Sequence, residues 1–73
     1  MKIGEVWINR YKEIHHVKIR EIVEERYYHV TDKDNWIVFD YCDENGVLGP
    51  DEYTHGDTLL RYRFVKEYSK VYK

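Results

Sequence analysis

The chain holds one cysteine, one proline, three leucines, and neither alanine nor glutamine. A single thiol, Cys42, excludes an internal disulfide, so packing alone must hold the domain together. The missing alanine and glutamine and the scarce leucine take away the strongest helix formers. No apolar run exceeds the four residues Trp36-Ile37-Val38-Phe39, far short of the roughly 20 that a membrane-spanning helix requires. The start, Met1-Lys2-Ile3-Gly4-Glu5, lacks the long apolar stretch of a secretory signal. A lone cysteine fits a reducing compartment, so a soluble, cytoplasmic protein is expected. No recognisable catalytic motif occurs, and the expectation is a protein that is not an enzyme.

What remains is rich in one kind of residue. Fourteen isoleucines and valines, eight tyrosines, two tryptophans and two phenylalanines stand in 73 residues. β-Branched and aromatic side chains in that excess predict a mainly β fold. The length is that of one small domain, residues 1–73, which buries only roughly 60% of the surface of its extended chain. Eight tyrosines are more than such a core absorbs, so several are expected on the surface.

The net charge of −2 conceals an uneven distribution. Residues 1–31 carry +1, residues 32–57 carry −7 and residues 58–73 carry +4. Either the acidic segment faces the basic one across a sheet, where opposite charges stabilise neighbouring strands, or the protein has two surfaces of opposite sign.

Along the chain, Lys2 to Ile8 reads as a short edge strand and Asn9 to Glu13 as a polar loop. His16 to Glu21 alternates apolar and charged residues with the period of a half-buried strand. The adjacent Ile22 and Val23 break that phase, and a bulge near Arg20-Glu21 restores it. A helix over about 14–28 is the rival reading, since Ile19, Ile22, Val23, Tyr27 and Val30 also fall at helical spacing. Tyr27 to Thr31 has high β propensity and leads into a turn over 31–35. Asn35 to Cys42 is the clearest strand. Asn45-Gly46 is the strongest hairpin signal, and residues 43–57 read as a long acidic loop. A strand at 58–62, a helical turn at 64–68 and a short closing strand complete the chain. The alternative is an α+β fold with a C-terminal helix, because Leu60, Phe64, Val65, Tyr68, Val71 and Tyr72 make a helical stripe.

The opening Lys2-Ile3-Gly4-Glu5-Val6-Trp7 and the closing Phe64-Val65-Lys66-Glu67-Tyr68-Ser69-Lys70-Val71 resemble the two ends of small bacteriophage-encoded proteins with an SH3-like barrel. That resemblance implies a small barrel of about five antiparallel strands with a short C-terminal helical turn. It also implies a chain that attaches to a host protein complex, bacterial RNA polymerase being the most specific target, and thereby regulates transcription. The acidic 43–57 segment is longer than such a compact barrel needs. No site residue is implied, because these proteins share a scaffold rather than a site.

The residues offer several chemistries. Metal binding by His15, His16, His29, His55 and Cys42 lacks the paired spacings of structural zinc sites, and adjacent His15 and His16 on a strand point to opposite faces, so no metal or other cofactor is expected. Cys42 lies in the acidic third, which opposes thiolate formation, and reads as a buried structural cysteine. Protein binding is the reading the composition favours, through Tyr11, Tyr27, Tyr28, Tyr41 and Tyr53, with Asp43, Glu44, Asp51 and Glu52 steering toward a basic partner. Nucleic-acid binding through Arg61, Tyr62, Arg63, Lys66 and Lys70 is the alternative, set against the negative net charge. Inhibition of a host nuclease, as an anti-defence protein, is a further one. An oligomer with tyrosines facing each other is also compatible, and oligomeric state is not readable from the sequence.

Overall fold

The computed structural model describes residues 1–11, 14–24, 35–49 and 55–71, and the alternating stretches of the sequence become its strands. β1 (Val6–Asn9), β2 (His15–Glu24), β3 (Asn35–Cys42), β4 (His55–Leu60) and β5 (Tyr68–Lys70) form one antiparallel sheet in the order β4-β3-β2-β1-β5. A short helix, α1 (Arg61–Glu67), leads from β4 directly into β5. The fold is mainly β, as the composition predicts, and its described residues hold five antiparallel strands and one short C-terminal helix. The sheet is not closed: β4 and β5 stand at its two ends, and α1 packs against β3, β4 and β5.

Several boundaries differ from the sequence reading. The first strand begins at Val6 rather than Lys2, because Lys2–Glu5 forms a turn in which the Glu5 N–H donates to the Lys2 carbonyl at 3.3 Å. The rival helix over 14–28 is overturned for His15–Glu24, which is a strand along its whole length. Its expected bulge is present: Ile19 pairs with Phe39 and Glu21 with Val38, leaving Arg20 as the extra residue. That slip returns Ile22 to the inner face opposite Ile37.

The long acidic loop is shorter than expected. The Asp43 N–H donates to the Val47 carbonyl at 3.0 Å and Cys42 bridges Leu48, so Glu44-Asn45-Gly46 is a three-residue hairpin loop. Gly46, at φ 80°, takes the left-handed position that closes such a loop. Residues 55–57 belong to β4, and the expected strand at 58–62 is moved upstream to His55–Leu60. The helical turn at 64–68 begins instead at Arg61, which leaves Tyr68 to open β5. The predicted strand Tyr27–Thr31 and most of its following turn lie outside the described residues.

Val17, Ile19, Ile37, Phe39, Phe64 and Tyr68 form the buried core, with Trp7, Ile22 and Leu59 packed against it. Phe64 is the one buried residue of α1 and joins the helix to the sheet. Its ring stacks on Tyr68 at 4.6 Å, lies 5.1 Å from Trp7 and 5.5 Å from Phe39. Burial of four large rings in one cluster supplies apolar area that a small β domain otherwise lacks. The Trp7 indole N–H is buried there without a partner among the described residues.

The basic segment meets the acidic one through β4, where Thr58, Leu59 and Leu60 pair with Val38, Ile37 and Trp36, while Lys70 lies on β5, which pairs with β1. Lys70 is ion-paired to Glu5 at 2.7 Å, and Arg20 lies 3.6 Å from Asp40.

Candidate interaction surfaces

The register brings four side chains together at one end of the inner face. Asn9 pairs with both His15 and Tyr68, while Val17 pairs with Tyr41. His15 meets Tyr41 edge to face at 5.3 Å and Tyr68 at 5.7 Å. His15 Nε2 and the Tyr68 hydroxyl are hydrogen-bonded at 3.1 Å. Burial pushes the Tyr68 phenol above its ordinary range, a hydrogen bond with the Asn9 side chain working the other way. Asn9 also accepts the Tyr11 N–H at 2.8 Å, which ties the β1–β2 connection to the same cluster.

Both connections at this end carry exposed apolar side chains. Tyr11 is 83% and Ile14 is 78% exposed between β1 and β2, and Val47 and Leu48 are exposed after β3. Tyr41, 39% exposed, lies on the sheet between them. Single exposed apolar residues are ordinary, but five at one end of a sheet are the composition of a contact surface. Asp43 and Glu44 add acidic charge at its edge, both exposed. Asp43 has a structural task too: its Oδ1 accepts the N–H of Asn45 at 2.8 Å and of Val47 at 2.9 Å. It shapes the hairpin loop and leaves Glu44 as the more available carboxylate.

Of the residues predicted for protein binding, Tyr11, Tyr41, Asp43 and Glu44 therefore share one end of the fold. Tyr27, Tyr28, Asp51, Glu52 and Tyr53 lie outside the described residues. Sequence reasoning missed His15, Tyr68 and Ile14 as members of this surface. The alternation of β2 carried part of the signal, but which residues of β1 and β5 face His15 is a matter of register.

The residues proposed for nucleic acid divide. Arg61, Tyr62, Arg63 and Lys66 share the exposed face of α1, with the Lys66 ammonium 5.8 Å from the Tyr62 ring centre. Lys70 stands apart on β5, held by Glu5, whose carboxyl the Lys70 ammonium and the Lys2 N–H draw down to about 2.

Among the described residues no three His, Cys, Asp or Glu side chains converge as a metal site. His15 lies on the inner face, and His16 pairs with Ile8 and Cys42 on the outer one. Cys42 is half-buried, and burial and then Asp43 raise its thiol above the ordinary value, opposed by Lys18. That setting keeps the sulfur protonated at neutral pH. Among the described residues no helix is long and apolar enough to cross a membrane. No protein-family model, curated protein or solved structure matches the chain.

Proposed function

We propose that the protein is a non-enzymatic binding module that docks a partner protein with the aromatic end of its sheet. The observation that carries this reading is the placement of Tyr11, Ile14 and Tyr41, all exposed, at the end of the sheet that holds the His15–Tyr41 ring pair, with Val47 and Leu48 exposed on the hairpin that follows β3. Tyrosine supplies large contact area with few rotatable bonds, so ordering it on binding is inexpensive in entropy. The hydrogen bond between His15 and Tyr68, and the one that Asn9 accepts from the Tyr11 N–H, hold the rings and the adjoining connection in place before a partner arrives. Glu44 and Asp43 at the rim favour a partner whose contact surface is apolar with a basic edge.

The resemblance of both chain ends to bacteriophage-encoded SH3-like proteins directs this reading to a host protein complex in the bacterial cytoplasm. Bacterial RNA polymerase is the named partner and altered transcription the proposed effect. Four strands in meander order, with a short helix leading to a fifth strand beside β1, support that comparison at the level of fold.

The test is capture of bacterial proteins on the immobilised chain, run beside Tyr11→Ser/Ile14→Ser and Tyr41→Ser variants. Recovery of polymerase subunits by the parent chain and their loss from both variants is expected. Recovery of other proteins in place of polymerase removes the transcription reading. Equal capture by parent and variants overturns the docking surface.

A further inference from the structure

The exposed face of α1 is a second, chemically different surface. At about 100° per residue the helix sets Phe64 toward the core. Arg61, Val65, Tyr62, Lys66 and Arg63 then follow one another around the opposite arc. All five are exposed, and Glu67 is the single acid of the helix. We infer that this face binds single-stranded nucleic acid, with Arg61, Arg63 and Lys66 against phosphates and Tyr62 stacked on a base.

Local stability does not account for the cations. Arg61 and Arg63 lie in the first turn, beside the positive end of the helix dipole, where basic side chains are unfavourable. That turn has no acidic residue, and Leu60 before it offers no side-chain cap. Arg61 and Arg63 also start at the opposite end of β3 from the Asp43–Glu44 hairpin, because β4 ends with Leu60 opposite Trp36 before α1 begins.

The face favours a single strand over a duplex. α1 continues without a connecting residue into β4 on one side and β5 on the other, so only about two turns of helix lie against the sheet, too short to follow a groove over several base pairs. It presents a shallow surface on which an unstacked base reaches the Tyr62 ring. The Lys66 ammonium already rests over that ring, within reach of a phosphate beside a stacked base. An acidic protein segment would use the cations but leaves the aromatic ring unexplained.

The test is fluorescence polarisation of the full chain with a labelled 20-nucleotide oligothymidylate, titrated at several salt concentrations. Binding at low salt is expected, with log K falling against log salt at a slope of about −2, as three phosphate contacts on a single strand dictate. Arg61→Glu/Arg63→Glu should abolish it, with circular dichroism unchanged. Tyr62→Ala should weaken it several-fold while keeping the slope. Tyr11→Ser should leave it intact, which separates this surface from the aromatic end. No binding at low salt, tighter binding to duplex, or equal displacement by polyglutamate would each overturn the proposal.

Discussion

The Tyr68 hydroxyl lies 3.1 Å from His15 Nε2, 53 residues earlier in the chain. This contact links β5 to β2 across the short strand β1 and joins a core ring to the exposed end of the sheet. Stability and the candidate docking surface therefore share a residue, and substitutions at Tyr68 separate the two.

Tyr68→Phe keeps the ring stacked on Phe64 and removes only the hydroxyl. The expected loss is about 1 kcal/mol, read as a lower urea midpoint with an unchanged slope. Tyr68→Ala also removes the stacked ring, and about 3–5 kcal/mol of destabilisation is expected. Equal losses for the two variants would mean that the ring contributes nothing beyond its hydroxyl. The same variants test the raised phenol: the ultraviolet difference between the parent chain and Tyr68→Phe should show ionisation above pH 10.

Glu5 makes stability depend on acid. Its folded-state carboxyl titrates near 2 against an ordinary value of 4.5, chiefly through the Lys70 ammonium. The unfolded chain therefore binds the proton more readily than the folded one. The stabilisation is complete above about pH 5.5 and declines as pH falls through 4.5 toward 2. Urea unfolding of the parent chain and of Glu5→Gln should differ at pH 7 and converge near pH 2. A difference that persists unchanged at pH 2 would assign the effect to something other than this ion pair.

Gly56 lies within an irregularity of β4, where Gly56 and Asp57 together oppose Phe39 between the pairs Val38–Thr58 and Asp40–His55. A Cβ built there would lie 2.3 Å from the Phe39 carbonyl oxygen and 2.8 Å from its ring. Backbone cannot move aside as a flexible side chain does, so Gly56→Ala should cost about 1–3 kcal/mol. Thermal unfolding measures this directly, and a melting temperature equal to that of the parent chain would contradict the close approach.

Cys42 should react slowly with thiol reagents at pH 7.5. Its thiol is half-buried and raised above the ordinary value, so little thiolate forms. A rate of disulfide exchange with Ellman's reagent at least several-fold below that of free cysteine is expected. Asp43→Asn removes the second cause of the shift and should speed the reaction modestly. A rate matching free cysteine in the parent chain would exclude the protected setting.

Much of the fold is legible in the residues because strand pattern is a local property. Asn35–Cys42 carries its own alternation, and the structure begins and ends β3 at those residues. The bulge at Arg20 is legible for the same reason, since two adjacent apolar residues break a period of two. The extent of β4 was not, because its first residues, His55-Gly56-Asp57, have loop composition. They are held in the sheet by pairing with β3, where the missing side chain of Gly56 is what the Phe39 backbone requires.

The candidate sites divide along the same line. The surplus of tyrosine and the separation of acid from base are properties of composition and order, so the sequence alone determines that some tyrosines reach the surface and that acid and base lie in separate segments. It does not determine that His15, Tyr41 and Tyr68 converge, or that Lys70 leaves the other tail bases to pair with Glu5. Those outcomes follow from strand register and from the position of β5 beside β1. Contacts between residues tens of positions apart depend on which strands pair, and only the assembled sheet decides that.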